Sequence, residues 1–595
     1  MSTVATMIDD NGRINVNGIL EAGAVQLFSS PTTIRGGINT AYELASKQPN
    51  VIKTDVPMSD VQGLGLYENN NKVLMSITGR DTGRSPWARH IMDKNNPEEM
   101  DYTGKLIKDV VREMMPMPML AVKCFFGRSQ NAMGELDFLV TQRYAKHALD
   151  FIMNFVPSTD ETQKLYQSSK PLGFKNVRLI SHPEWVNPEW LAWRARVNPN
   201  DPEQVKKDPE PQRIKMIFDP ENNVGFLLGN YYFGECKKGA LSMIWSSFLN
   251  KGLGMPIHGS SKSLVTPDGK KKVFITIGLS GSGKSSLGNA YHDEFIKKGW
   301  LKDVELGNDD ALVIQIDENE TTGLEAGLYN KTDEYAPGSF WEKTVQSAEN
   351  GMVILDETGR RKPYYMDAYT KNGRCISARH FLPGAKTSRL DTPAPNHICT
   401  IQKDNTWGPV TMIEDPMLQA ALYITLSTKS TAAENISLSE LGKLKISPGA
   451  NPFGIWSRND ECEIFYKMVL KHKVVGFLLN TGGFFISGED EKQGREMDIP
   501  KDLSIILYPL IAADKIKWVD WDFVLGAKVP APGAMEEFFP GYDKKFTVSE
   551  ENLSAYPQLF QARTKSRIDW MEKNGIDAKF IDVLKKINTA VKIPG

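Results

Sequence analysis

The strongest constraint on the fold of this chain is the stretch KKVFITIGLSGSGKSSLGNAYHDEF at residues 271–295. A β-branched apolar run is followed directly by a loop that matches G-x-x-x-x-G-K-[ST] at every fixed position. In a strand, loop and helix of this kind, backbone N–H groups and the helix N-terminus can face a phosphate. The pattern predicts a nucleotide-phosphate loop formed by Gly278, Leu279, Ser280, Gly281, Ser282, Gly283, Lys284, Ser285 and Ser286.

Two residues of this loop explain why the pattern is typical of phosphate binding. The ammonium group of Lys284 can reach the β- and γ-phosphates, and the hydroxyl of Ser285 can bind the Mg²⁺ that accompanies a nucleoside triphosphate. The alternative is an ordinary glycine-rich turn. The apolar run before the loop and the helix-forming residues after it favour the phosphate site.

The amino-acid composition limits the kinds of molecule that this protein is expected to bind. The 595-residue chain has 41% hydrophobic and 24% charged residues and a formal net charge of −2, which produces no strong field toward nucleic acid or membrane. Its five cysteines form no CxxC pair, the N-terminus lacks the pattern of a targeting segment, and the apolar run 503–513 is broken by Pro509. We expect a soluble, cytoplasmic protein that acts on small molecules, without nucleic acid or membrane partners.

The distribution of apolar runs predicts two α/β domains. The segment 200–215 combines prolines with mixed charge and is typical of an exposed connector. The run CKKGALSMIWSSFLNKG after it has helical spacing and ends near Gly252. From residue 272, short runs with strand character recur between turns. We expect an N-terminal α/β domain at 1–250 and a C-terminal domain with the phosphate loop at 251–595.

An acidic pair, Asp309 and Asp310, stands at the start of another apolar run, ALVIQID. Paired carboxylates beside a phosphate site can hold Mg²⁺ or Mn²⁺, which prefer hard oxygen ligands. Taken alone, such a pair is more often a solvated loop. In the same way, an isolated residue such as His258 is more often structural than a ligand.

Six segments in a fixed order favour a functional role for the acidic pair and for His258. They are TGRSPWAR (82–89), YFGECKKG (232–239), MPIHGSS (255–261), GLSGSGKSSL (278–287), GNDDAL (307–312) and LEAGLYNKT (324–332). In type and order they resemble the motifs of ATP-dependent phosphoenolpyruvate carboxykinases, over roughly residues 70–490. The resemblance implies an α/β, two-lobed carboxykinase-like fold, in which the C-terminal domain contains the P-loop on a mixed sheet and the N-terminal domain binds the substrate.

The resemblance also implies a set of metal and nucleotide ligands. Lys238, His258 and Asp310 would bind a catalytic Mn²⁺, with neutral lysine as an uncommon but reasonable ligand. Ser285 would hold the Mg²⁺ that travels with ATP. Glu325 would lie on the nucleotide side of the site.

On the substrate side, the resemblance makes Arg84 the receptor for the carboxylate and the CO₂ end, since a guanidinium matches a carboxylate in a bidentate manner. Tyr232, Ser280 and Lys238 would lie near the same groups. A second catalytic arginine would bridge the substrate and the nucleotide's transferring phosphoryl group. Arg374 is the preferred candidate and Arg379 is the alternative.

The chain also departs from the family pattern. RSPWAR replaces a lysine-rich segment, and GNDDALV lacks the residues that usually follow the acidic pair. These departures indicate a divergent member. The loop GLSGSGKSS resembles the ATP class, whereas the GTP class has a cysteine in this loop, so we expect ATP as the nucleotide.

The activity implied is the reversible conversion of oxaloacetate and ATP to phosphoenolpyruvate, CO₂ and ADP, a gluconeogenic or anaplerotic reaction. One alternative is a P-loop kinase that phosphorylates a hydroxyl on a protein or metabolite. Another is a non-catalytic, nucleotide-sensing protein. For the carboxykinase we expect a lid that excludes water, and the segment 392–409 is a candidate because glycine and proline flank it.

Overall fold

The computed structural model describes residues 18–77, 85–279, 282–332, 335, 338–365, 372–382, 384–385, 389–429, 444–484, 497–548 and 555–590. The chain divides into two compact units. Unit 1 comprises Met1–Ser247 and Glu325–Phe381, and unit 2 comprises Phe248–Leu324 and Leu382–Gly595. Helices and several mixed sheets make up both units, so the predicted α/β class is confirmed.

Unit 1 contains two large sheets. The spatial order of the first is Thr33–Gly36, Met119–Phe126, Gly134–Thr141, Val177–His182, Val224–Leu228, Lys215–Asp219 and Arg89–Ile91, with Val156–Pro157 paired to Met119–Phe126. The order of the second is Gly327–Lys331, Arg374–Ala378, Val345–Glu349, Lys72–Ser76 and Val51–Pro57. A separate hairpin joins Met352–Leu355 and Arg361–Tyr364.

Helices cover these sheets. Ala145–Asn154 is buried at every position, and Pro97–Met114 begins at an Asn96 cap whose side chain accepts a hydrogen bond from the Glu99 N–H. An apolar core that includes Leu20, Ile107 and Phe226 lies between the first sheet and its helices. The helices that begin in unit 1 are Ile19–Phe28, Ile38–Ala45, Pro97–Met114, Ala145–Asn154, Asp160–Ser168, Pro188–Arg196, Pro202–Lys207 and Phe233–Asn250.

Unit 2 is built on a second mixed sheet of eight strands. The spatial order is Asp303–Asp309, Gly259–Val265, Lys271–Ile277, His397–Gln402, Val475–Asn480, Val410–Ile413, Ala527–Pro530 and Trp518–Asp520. A smaller sheet contains Gly254–Ile257, Leu312–Gln315 and Thr321–Gly323, and two ribbons pair Ser427–Lys429 with Leu444–Ile446 and Gly483–Phe484 with Met497–Asp498.

The helices of unit 2 are Lys284–Gly288, Asp293–Lys297, Pro416–Ile424, Arg458–His472, Lys501–Ala512, Tyr542–Phe546, Tyr556–Lys573 and Ala578–Ala590. Short 3₁₀ turns in the two units span Pro86–Ala88, Gln142–Tyr144, Trp341–Thr344, Arg379–Phe381 and Pro448–Ala450. Within the part of the chain that the structure describes, no helix combines the length and apolar character that a membrane crossing requires.

Several sequence expectations can be compared with these elements. The runs KVFITI, HICTIQ and KVVGFLLN, which have strand character, form strands of the unit 2 sheet, where they lie next to one another. The suggestion of a lid at 392–409 is wrong, because His397–Gln402 pairs on both sides within that sheet and its residues 398–402 are buried. The helix that follows the phosphate loop ends at Gly288, and a second helix starts at Asp293.

The predicted division at residue 250 is close to the first change of unit, which follows Ser247. The segment Glu325–Phe381 was assigned to the C-terminal domain but packs in unit 1. The reason is strand pairing, because Val345–Glu349 lies beside Lys72–Ser76 in the five-stranded sheet.

Candidate nucleotide and metal site

The phosphate loop follows the central strand Lys271–Ile277. At two of its positions, lack of space or the backbone conformation favours glycine. A Cβ on Gly278 would lie 2.6 Å from Ser282 Oγ, which donates a hydrogen bond to the Leu279 carbonyl at 2.7 Å. Gly283 has a left-handed φ of 97° immediately before the helix. The loop is therefore tightly folded where it is described; Ser280 and Gly281 lie outside the described residues.

Lys284 connects this loop to the acidic pair. Its side chain is buried, and its Nζ donates to Asp310 Oδ1 at 2.9 Å and lies 3.8 Å from Asp309 Oδ1. The other Asp309 oxygen accepts a hydrogen bond from Asn289 Nδ2 at 3.3 Å. Ser285, in the first helical turn, is exposed. The acidic pair thus lies against the loop lysine instead of forming a solvated loop.

Asp310 also contacts His258. Its φ of 85° is unusual for a residue other than glycine, and its Oδ1 lies 3.0 Å from His258 Nε2. The histidine is buried: its Nδ1 is 2.7 Å from the Ala450 carbonyl oxygen, and Phe453 packs edge-on against its ring with centroids 5.7 Å apart. One carboxylate oxygen therefore contacts both the loop lysine and a buried histidine.

The chemistry of this contact fits a divalent cation. A carbonyl oxygen only accepts, so Nδ1 of His258 carries a proton. In that tautomer of the neutral ring, Nε2, which lies 3.0 Å from Asp310 Oδ1, has the lone pair that a cation would bind. Fixing the second ring nitrogen by a carbonyl is also how metal-binding histidines are oriented. Among the described residues, no group of three or more His, Cys, Asp and Glu side chains is arranged to hold a metal.

The GECKKG segment begins the helix Phe233–Asn250 in unit 1. Lys238 is buried near its start, with Nζ 5.8 Å from the centroid of the Trp245 ring. Tyr232, just before the helix, is also buried. A Cβ on Gly234 would lie 2.3 Å from the Tyr232 ring. The ring can therefore occupy this position because residue 234 has no side chain.

The RSPWAR segment is tied to the same helix by a buried ion pair. Arg89 Nη2 donates to Glu235 Oε2 at 2.6 Å, and the Ser85 N–H donates to the other oxygen of Glu235 at 2.7 Å. Arg89 Nη1 donates to Ser242 Oγ, whose hydroxyl donates to the Lys238 carbonyl. This role of Arg89 is not visible in the sequence. Arg84, the predicted carboxylate receptor, lies outside the described residues.

The two arginine candidates differ in their surroundings within unit 1. Arg374 begins the strand Arg374–Ala378, with its guanidinium 5.5 Å from the centroid of the Tyr329 ring. Arg379 begins the next 3₁₀ turn and is 3% exposed. Glu325, predicted on the nucleotide side, is buried in unit 1, where it lies 3.1 Å from Lys237 Nζ and accepts a hydrogen bond from Asn154.

Sequence reasoning missed a buried polar network beside Arg374. Lys146 Nζ donates to Asp150 at 2.6 Å and to Ser347 Oγ at 2.7 Å. Glu349 lies close by, and burial, together with the charge of Asp150, raises its pKa to about 8. The available signal was a lysine and an aspartate four residues apart in a helix whose other residues are mostly apolar.

A second missed cluster lies under the helix Lys284–Gly288. Lys262 is fully buried, its Nζ donates to the Leu287 carbonyl at 2.6 Å, and the same atom lies 2.8 Å from His292 Nε2 and 4.2 Å from the Tyr508 ring centroid. Burial lowers the pKa of Lys262 to about 7. Burial, and then the charge of Lys262, lowers the pKa of His292. Both groups are therefore favoured in their neutral forms.

This cluster predicts a pH dependence of stability. Between about pH 7 and 10.5 the unfolded chain binds a proton at Lys262 that the folded chain does not, so stability should rise with pH, by up to about 1.4 kcal/mol per unit from this residue. Thermal unfolding of wild type and Lys262→Met from pH 7 to 9 checks this. The Tm of wild type relative to that of Lys262→Met should increase as pH rises. A difference in Tm that stays constant with pH would contradict this prediction. Lys271→Met, an exposed lysine in the neighbouring strand, is the control.

Together, these features define an α/β protein in which a glycine-rich loop, its buried lysine and an acidic pair lie next to one another. Comparison with known proteins is consistent with this class. The family model for phosphoenolpyruvate carboxykinase matches residues 61–531, and the chain belongs to that family. Enzymes of this family are metal-dependent.

Similar individual proteins carry the name phosphoenolpyruvate carboxykinase (ATP). One from Aeropyrum pernix is 23% identical over 313 residues, covering 51% of this chain and 59% of its own length, which is less than two thirds. One from Sulfurimonas denitrificans is 22% identical over 429 residues, covering 68% and 71%. One from Candida albicans is 22% identical over 516 residues, covering 83% and 86%.

Proposed function

We infer that this chain catalyses the ATP-dependent conversion of oxaloacetate to phosphoenolpyruvate, CO₂ and ADP. Family membership supports this reaction. The observation that carries it is the Asp310 carboxylate oxygen, which contacts both Lys284 of the phosphate loop and buried His258. A plain P-loop kinase has use for the lysine and a carboxylate but not for the histidine.

The proposed nucleotide site in unit 2 is a P-loop formed by residues 278–286. Its backbone and Lys284 would bind the β- and γ-phosphates of ATP, and the exposed hydroxyl of Ser285 would hold Mg²⁺. Glu325 is proposed to act on the nucleotide side through its resemblance to the family motif. Its buried contact with Lys237 would fix the position of its carboxylate.

The proposed catalytic metal is Mn²⁺, held by His258, Asp310 and Lys238. The lone pair of His258 and the Asp310 carboxylate suit it, and the motif resemblance supplies Lys238. When bound, the cation supplies positive charge that offsets the negative charge left when CO₂ departs. The Ala450 carbonyl holds the His258 ring in the tautomer that such binding needs.

The remaining groups would bind and orient the reactants. Arg84, Tyr232 and Ser280 are proposed to receive oxaloacetate, with Arg84 on the carboxylate that leaves as CO₂. Loss of CO₂ from oxaloacetate leaves an enolate. Its oxygen then attacks the γ-phosphoryl group in line, and ADP leaves. Lys284 and Arg374 would neutralise charge on the transferring group. Arg374 is preferred to Arg379 because it contacts the ring of Tyr329, which Lys237 of the GECKKG segment also contacts.

An assay with oxaloacetate, ATP and Mn²⁺ tests this function. We expect phosphoenolpyruvate, CO₂ and ADP in equal amounts, with no need for an added hydroxyl acceptor. ADP formed only with a protein or metabolite acceptor would instead support a kinase. Nucleotide binding without any product would support a sensing protein.

The same assay checks the nucleotide preference. Because the loop GLSGSGKSS resembles the ATP class, kcat/KM for ATP should exceed that for GTP by at least about 10-fold, a difference of roughly 1.4 kcal/mol in transition-state stabilisation. The measurement is steady-state kinetics with each nucleotide at saturating oxaloacetate and Mn²⁺. A preference for GTP would show that residues outside this loop determine the base.

A further inference from the structure

Tyr329 is a contact point for several of the proposed site residues of unit 1. It is the central residue of the edge strand Gly327–Lys331 in the five-stranded sheet. Its ring centroid lies 5.5 Å from the Arg374 guanidinium and 5.4 Å from Lys237 Nζ. The ring of Tyr232 is 6.3 Å away. Two segments that are distant in sequence from Tyr329 and from each other therefore meet at its ring.

The hydroxyl of Tyr329 is fixed by a buried carboxyl group. It donates to Glu349 Oε2 at 3.3 Å, and Glu349 is 3% exposed. Glu349 and Arg374 are direct partners in the antiparallel pair of strands Val345–Glu349 and Arg374–Ala378. Lys146 and Asp150, from the buried helix Ala145–Asn154, also act electrostatically on Glu349. The tyrosine is therefore held at its ring and at its hydroxyl.

The ring of Tyr329 stabilises two cations. Arg374 and Lys237 both lie within 6 Å of its centroid, and an aromatic ring attracts cations to its face. Lys237 is also paired with Glu325 at 3.1 Å. Leucine at this position would fill some of the space but would provide no such attraction.

We infer that Tyr329 is a positioning residue, whose ring holds Arg374 and Lys237 in place for the phosphoryl-transfer step while Glu349 fixes its hydroxyl. The inference rests on the proposed function, in which Arg374 acts on the transferring phosphoryl group. Tyr329 itself exchanges no proton or electron in the reaction. Its effect reaches catalysis through Arg374 and through the helix turn that carries Lys237 and Lys238.

The test compares Tyr329→Phe, Tyr329→Leu and Arg374→Ala in the full-length protein. Tyr329→Phe removes the hydroxyl and keeps the ring, so kcat should fall about 3- to 10-fold, as expected for loss of one hydrogen bond. Tyr329→Leu also removes the ring, so kcat should fall about 100-fold. The Kd for ATP, whose proposed loop belongs to unit 2, should stay within about twofold of wild type. Tyr67→Leu, at a tyrosine that is 63% exposed, is the matched control.

The outcomes separate this inference from the proposed function. If Arg374→Ala loses activity but both Tyr329 variants turn over within twofold of wild type, the inference is overturned and the function stands. If Arg374→Ala is itself fully active, the proposed role of Arg374 fails, and the inference fails with it. Where Tyr329→Leu does not fold, Tyr329→Phe decides, because it keeps the shape of the side chain: a kcat equal to wild type overturns the inference.

Discussion

Replacement of Lys284 by alanine should lower kcat for phosphoenolpyruvate formation by about 10³-fold or more, because a preorganised cation acts on charge that develops only in the transition state. In the structure this ammonium group is buried and lies 2.9 Å from Asp310. Its loss would therefore also remove the cation that contacts Asp310. KM for oxaloacetate should change much less than kcat.

The measurement is steady-state kinetics combined with a thermal unfolding curve for each variant. Lys297→Ala is the matched control, since Lys297 is an exposed lysine in the next helix. We expect the control to match wild type in both kcat and Tm. A folded Lys284→Ala protein with near-normal turnover would exclude the phosphate-loop assignment.

Replacement of His258 by glutamine should weaken Mn²⁺ binding by about 100-fold or more, because His258 is a proposed direct ligand. Loss of a residue that only orients a metal ligand already lowers metal affinity by about 10- to 100-fold. Decarboxylation of oxaloacetate should fall in parallel. ATP binding should change little, because the Mg²⁺ of the nucleotide is assigned to Ser285 and not to His258. Glutamine retains a polar side chain of similar length and can still accept a hydrogen bond.

Titration of Mn²⁺ into wild type and His258→Gln, with ATP affinity measured on the same samples, checks this separation. His90→Gln provides the control, because His90 is an exposed histidine paired with Glu99 in unit 1. Equal Mn²⁺ affinity in wild type and His258→Gln would identify His258 as a structural residue. The kinase alternative would then be the better description.

The sequence predicted the parts of this molecule that depend on local pattern. The strand Lys271–Ile277 and its neighbour His397–Gln402 were visible as β-branched runs, and the loop glycines were visible as a motif. The proximity of Lys284, Asp310 and His258 was expected only from the family resemblance. Their contacts are present in the structure, while their proposed roles in catalysis stay predictions.

The features that the sequence did not predict depend on strand register and burial. Tyr329 lies within a quoted motif, but its contact with Glu349 follows from pairing across the strand Arg374–Ala378. Likewise, Arg89 looked like a departure from the family pattern, and only the fold shows that it pairs with buried Glu235. Neither partner can be identified by spacing along the chain.

The division of the chain into units also determines the order in which they can be completed during synthesis. The polypeptide passes from one unit to the other after Ser247, Leu324 and Phe381. Unit 1 therefore has all its strands once residue 381 has left the ribosome. In unit 2, the strand Lys271–Ile277 is made early, but its parallel neighbour His397–Gln402 follows only after unit 1 is complete. The strand Lys271–Ile277 therefore has no neighbour at this position until residues 397–402 have been synthesised. Such long-range pairing is also slow to form.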